Sequence, residues 1–168
     1  MLANRMASRA AFVQYAELLL LRRMSESGIE FLVAGSTAAY AYGLDVEPKD
    51  LDIVVNYQRE RWERLLVLAD EVDPQPSGVG PLTREPNSFP AQLHVNLGRG
   101  LDVLSGFQHA SFNELFPRRQ EAVIKAEFLE DEFATVPIAN LSDLVQSWRD
   151  RGSSRDAELV RAAEKLPL

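Results

Sequence analysis

The sequence contains no cysteine and only two histidines. That excludes a disulfide framework, a cysteine-built zinc site and a thiol nucleophile. It is also poor in long apolar runs. The stretch Ala16-Glu17-Leu18-Leu19-Leu20-Leu21 is interrupted by Glu17 and is far too short to span a bilayer. Arg5 and Arg9 precede no uninterrupted apolar stretch and no small-residue cleavage site, so no signal peptide is read and a cytoplasmic location with no membrane association is expected. Basic side chains are outnumbered: 18 Lys and Arg against 25 Asp and Glu, a formal net charge of −7. This balance argues against a protein that coats nucleic acid through a broad basic face. It leaves room for a small nucleotide, or for an RNA end held by a local patch of arginines. No internal repeat and no low-complexity segment is present.

What remains is enough for a packed globule. Of 168 residues, 46% are hydrophobic, which supports one domain, 1–168, with its own core. Helical spacing of Ala11, Val13, Ala16, Leu19, Leu20 and Met24 predicts an N-terminal helix over 7–27, stopped at Gly28. A core then runs over 29–136. It holds a buried strand from Ile29 to Ala34, a short alanine-rich helix from Ser36 to Tyr42 and a loop to Lys49 with Pro48 as breaker. A second strand from Asp50 to Val55 and a helix from Arg59 to Asp70 follow. The Pro-, Gly- and Ser-rich stretch Asp73 to Pro90 is expected to be a mobile loop or insertion. Gln92–Leu97 and Leu101–Leu104 form a hairpin around Gly98-Arg99-Gly100, Phe107 to Phe116 is an irregular connection, and Ala122 to Val136 holds one or two strands. A helical tail over 140–166 follows as two helices broken at Gly152, with Ser142 and Ser154 as expected N-caps. The order predicts an α+β fold, a mixed β-sheet flanked by helices with a short helical C-terminal tail.

The chemistry is concentrated between Phe31 and Val55. Gly35-Ser36 ends an apolar strand and opens a helix, a turn whose backbone N–H groups favour phosphate, and Gly35 permits close approach. Asp50 and Asp52 lie one residue apart on the next apolar run, so their side chains share a face. Two carboxylates among aliphatic residues are costly unless paired, and oxygen-only ligands favour magnesium or manganese. A third, Asp102, sits in the apolar context Gly100-Leu-Asp-Val-Leu104. Two paired acids and a distant third suit a two-metal phosphoryl-transfer site.

Gly35-Ser36, thirteen intervening residues, Asp50-Leu-Asp52 and then Asp102 resemble the DNA polymerase beta-like nucleotidyltransferase superfamily. More narrowly, the chain resembles the minimal nucleotidyltransferases and the AbiEii-type toxin relatives of type IV toxin–antitoxin systems. Val136 to Val145, then Arg149, Gly152 and Arg155-Asp156, resemble the helical tail of that group. The resemblance covers roughly Ile29 to Lys165. It implies a nucleotidyltransferase fold and magnesium-dependent transfer of a nucleoside monophosphate from a nucleoside triphosphate (NTP). The implied metal and catalytic ligands are Asp50, Asp52 and Asp102. The implied nucleotide contacts are Gly35, Ser36, Lys49, Arg149 and Arg155. The acceptor is left open among a tRNA end, a protein and a small molecule, and an antitoxin partner is implied by the narrower group. Relatives commonly carry arginine and threonine before the paired acids, where this chain has Val46 and Pro48, and often lysine where it has Trp148. The alternative expectation is therefore the same fold with lapsed catalysis, a nucleotide-binding or partner-binding module.

Other polar residues have blander readings. His94 reads as a structural or half-exposed strand residue, His109 as a surface residue, and Tyr40 and Tyr42 as helix packing. Arg59 to Arg64 and Arg118-Arg119 read as solvated faces. Arg149, Arg151 and Arg155 have the better claim to a triphosphate, because a guanidinium binds phosphate in a bidentate way.

Overall fold

A computed structural model describes residues 2–74, 82–83 and 90–167. The chain-order elements are β1 (Ala11–Val13), α1 (Tyr15–Glu26), β2 (Leu32–Ala34), α2 (Gly35–Ala41), β3 (Leu51–Val54), α3 (Arg59–Val72), β4 (Leu82–Thr83) and β5 (Gln92–Val95). They continue with β6 (Leu101–Leu104), β7 (Gly106–Phe107), β8 (Ala110–Ser111), α4 (Phe112–Leu115), β9 (Gln120–Ala126), β10 (Leu129–Ile138), α5 (Leu141–Arg151) and α6 (Ser154–Glu164). The result is the expected α+β architecture, a mixed sheet flanked by helices with a helical C-terminal tail.

Eight described strands form one sheet in the order β1-β9-β10-β2-β3-β6-β5-β4, and β7 and β8 form a separate ribbon. β3 runs antiparallel to β2 and parallel to β6, and β6 pairs antiparallel with β5. The central strands are buried on alternate or all positions. Leu32, Val33, Ile53, Val54, Leu101 and Val103 are fully buried, as their aliphatic side chains dictate. α2 packs against β2, β3 and α5, and its Ala38, Ala39 and Ala41 are completely buried, so small side chains set that close approach. α1 lies on β9 and β10 and packs against α3.

The structure corrects several local expectations. The predicted helix over 7–27 is in part a strand: Ala11–Val13 pair parallel with Ile124–Ala126, and the helix begins only at Tyr15. Its start is set by a capping box in which the Gln14 N–H donates to Glu17 Oε1 at 2.7 Å. The N-cap of α5 is Asn140, not Ser142: Asn140 Oδ1 accepts from the Ser142 N–H at 2.9 Å. The N-cap of α6 is Ser153, not Ser154, with Ser153 Oγ accepting from the Asp156 N–H at 3.1 Å. In both cases the residue one or two positions upstream has the extended backbone a cap requires. The expected mobile segment 73–90 lies mostly outside the described residues; within it, Leu82–Thr83 pair with Leu93–His94.

His109 and Arg118 are exposed, as expected, but both also bond a buried acid. Arg118 donates through Nε and Nη2 to the two oxygens of buried Asp143, at 3.0 and 2.8 Å, and His109 Nε2 lies 3.1 Å from Asp143 Oδ1. Asn140 Nδ2 also donates to the carbonyls of Ala3 and Arg118. These bonds fasten the 106–118 connection to the first turn of α5. That helix carries Leu144 and Trp148 to the cleft described next.

Candidate functional site

Sheet register builds the site. Ala34 pairs with Asp52, Asp52 with Asp102, and Asp102 with His94, so one row crosses β2, β3, β6 and β5. Directly paired residues present their side chains to the same face. Asp50 precedes β3 and shares Asp52's parity. The Leu51 N–H donates to the Gly100 carbonyl at 2.9 Å, which aligns the start of β3 with the start of β6. Asp50 is exposed, whereas Asp52 and Asp102 are partly buried.

Two glycines make the close packing possible. Gly35 has φ +60°, and a Cβ there would lie 2.0 Å from Asp52 Oδ2. The carboxylate therefore rests directly against the Gly35 backbone at the mouth of α2. Gly100 has φ +122°, and a Cβ there would lie 3.2 Å from both Asp50 Oδ1 and His94 Cε1. Ser36 joins the loop before β3 through a long bond, accepting from the Lys49 N–H at 3.4 Å.

Two adjoining lobes open from this row. The smaller, about 280 Å³, includes Gly35, Ser36, Lys49, Asp50, Asp52, Asp102 and Arg155. The larger, about 650 Å³, extends along β5 and β6 beneath Phe107, Leu144 and Trp148. Gly35, Asp52, Asp102, Trp148 and Arg151 line both. So the structure brings all three sequence-predicted acids, the Gly-Ser turn, Lys49 and Arg155 to one cleft. Arg149 is not among its lining residues. It turns away and pairs with Glu164 at 2.8 Å, both side chains about half exposed (50% and 51%). The helical repeat explains the difference. Arg151 and Trp148 are three residues apart on one side of α5, and Arg149 follows Trp148 by about 100°. Arg151 reaches the cleft instead, held by Asp156 Oδ1 at 2.7 Å.

Burial pushes the Asp52 carboxyl up to about 7, reinforced by the negative charges of Asp102 and Asp50 and by a hydrogen bond with Asp102, and opposed by Arg151. Asp102 has a partner that sequence reading passed over: His94 Nδ1 lies 2.8 Å from Asp102 Oδ1. The signal was available. His94 and Asp102 are equidistant from Gly98 in the predicted hairpin, so pairing its arms sets them opposite one another.

No protein-family model and no curated protein sequence matches this chain.

The donor set fits a hard divalent cation in chemistry. It offers carboxylate oxygens, mutually repulsive and partly desolvated, whose charge a cation would neutralise. Among the described residues no three His, Asp or Glu side chains stand already gathered as a coordination group. The described helices include none long and apolar enough to cross a membrane.

Proposed function

We propose that this chain is a magnesium-dependent nucleotidyltransferase that moves a nucleoside monophosphate from an NTP to an acceptor hydroxyl. One observation carries the reading. Asp52 and Asp102 stand level on neighbouring parallel strands, with Asp50 and the Gly35-Ser36 turn at the same cleft. Asp50, Asp52 and Asp102 are the residues that would hold magnesium or manganese. The ion, when bound, supplies charge neutralisation and lowers the barrier to phosphoryl transfer.

The chain's own residues supply position and charge. Gly35 and Ser36 line the lobe where phosphates would lie, and Lys49 and Arg155 bring positive charge to it. Asp102, which bonds His94, would accept the proton of the attacking hydroxyl. A toxin role in a type IV two-gene system, with an antitoxin partner, follows from the family resemblance and belongs to this proposal.

The second reading is a nucleotide-binding or partner-binding module of the same fold with lapsed catalysis. Val46 and Pro48 favour it, as does the absence of a gathered coordination group among the described residues. Incubation with each NTP and magnesium, following pyrophosphate release over cell extract, separates the two. Magnesium-dependent release that disappears in Asp52→Asn supports the enzyme. Binding of NTP without release supports the module.

A further inference from the structure

The two lobes differ in chemistry, and the difference assigns the second substrate. Resting on the nucleotidyltransferase reading, we propose that the larger lobe is the acceptor site. Its acceptor is a small organic molecule that bears a hydroxyl and little negative charge, not a polynucleotide.

The lobe's volume of about 650 Å³ lies within the roughly 300–1,000 Å³ of sites that enclose small organic ligands. Its apolar walls include Leu104 on β6, Phe107 in the following ribbon and Leu144 on α5, beside the acids Asp52 and Asp102. Three neutral hydrogen-bonding side chains, Gln92, Gln108 and Ser147, are spread among them. This is the pattern of an apolar pocket with a few polar groups that fix orientation. Permanent positive charge is nearly absent. Among the described residues lining the lobe, Arg151 is the one Lys or Arg, and it is engaged by Asp156. Lys49 and Arg155 line the smaller lobe instead.

A polynucleotide acceptor brings a phosphate backbone and is held chiefly by Lys and Arg contacts to it. Among the described residues the larger lobe offers no such track, and the chain's net charge of −7 repels one. Phe107 and Trp148 are only 6% and 2% exposed, so the aromatic walls offer little face on which a base could stack. Charge decides the class.

The junction of the lobes places the chemistry. His94 lines the larger lobe and meets Asp102 there, so an acceptor seated against Leu104 presents its hydroxyl to Asp102. The acceptor oxygen forms a bond to the α-phosphorus of the NTP. The bond from that phosphorus to the bridging oxygen breaks, pyrophosphate leaves, and the hydroxyl proton passes to the Asp102 carboxylate.

The test supplies the full chain with magnesium and NTPs labelled in the α-phosphate. Three acceptor pools from cell extract are offered in parallel: molecules below about 1 kDa, purified total RNA, and dialysed protein. Label is expected in the low-mass pool. Gln92→Trp then plugs the lobe from its rim, because Gln92 is exposed and sits beside Leu104 in the register. That variant is expected to keep its melting temperature and its affinity for magnesium and a non-hydrolysable NTP, while transfer falls by about tenfold or more. Label in RNA or protein, or transfer indifferent to Gln92→Trp, overturns the assignment. Failure of the wild type to bind the non-hydrolysable NTP with magnesium overturns the parent reading and this one with it. The binding arm thus reports separately on nucleotidyltransferase function and the pool arm on the acceptor.

Discussion

Replacing Gly35 by alanine probes the closest approach in the site. Two costs are separable. The first is the backbone: Gly35 has φ +60°, and an L-residue in that region costs about 1–2 kcal/mol. The second is collision: the new Cβ would lie 2.0 Å from Asp52 Oδ2 and 2.9 Å from its Cγ, so the carboxylate must move. Forced repacking of this kind costs about 1–3 kcal/mol more. The expected destabilisation is thus about 2–5 kcal/mol. Gly28 is the internal control. Its φ is +72° with nothing within 4 Å of a built Cβ, so Gly28→Ala carries only the backbone cost, about 1–2 kcal/mol. A double-mutant cycle isolates the collision. In an Asp52→Ala background the Oδ2 and Cγ contacts are gone and only the Asp52 Cβ remains, at 3.0 Å, so Gly35→Ala should cost little more than Gly28→Ala. Urea unfolding of the four proteins of the cycle and of Gly28→Ala measures all the terms. Displacing Asp52 by an ångström or more should also cut the proposed nucleotidyl transfer on the order of 10²-fold. Equal costs for Gly35→Ala and Gly28→Ala, with no coupling to Asp52, would refute the claim that the carboxylate rests on the Gly35 backbone.

Other expectations concern charge. Glu17 is only 2% exposed, and burial pushes its carboxyl up from 4.5 to about 7, against the opposing Gln14 N–H bond and Arg99. The folded state therefore binds the extra proton between these values, and stability falls as pH rises through that window, by about 3 kcal/mol in all. Glu17→Gln should flatten this dependence and be the more stable protein at pH about 8; an unchanged profile in urea titrations would sink the assignment to Glu17. Magnesium should raise the melting temperature by relieving the repulsion among Asp50, Asp52 and Asp102, and Asp52→Asn should abolish most of that rise. A full magnesium shift in Asp52→Asn, read by calorimetry, would remove Asp52 from the ligand set. Arg155→Ala should weaken binding of a non-hydrolysable NTP by about 1–3 kcal/mol, whereas Arg149→Ala, whose guanidinium is turned to Glu164, should not. Isothermal titration decides between them, and equal losses would contradict the cleft assignment.

Local chemistry made much of this protein legible in advance. The alternation of Asp50 and Asp52 with aliphatic residues, the glycine turn after an apolar strand, the hairpin around Gly98-Arg99-Gly100 and the tail broken at Gly152 are matters of side-chain period and turn stereochemistry. Both are written into a few consecutive residues. Tertiary structure decided what those residues meet. Ala11–Val13 have helical spacing with the residues after them, yet become a strand because β9 offers them a parallel ladder. Asp102 stands beside Asp52 because β6 pairs with β3 in one register, a non-local choice that no local pattern encodes. The raised proton affinity of Asp52 comes first from burial beneath neighbouring elements and then from that same pairing. Arg149 and Arg155 look alike in sequence. The rotation of α5 and the turn at Gly152 send one to Glu164 and the other to the cleft. Period and turn determined which side chains share a face, and packing determined which faces come together and how much water is left between them.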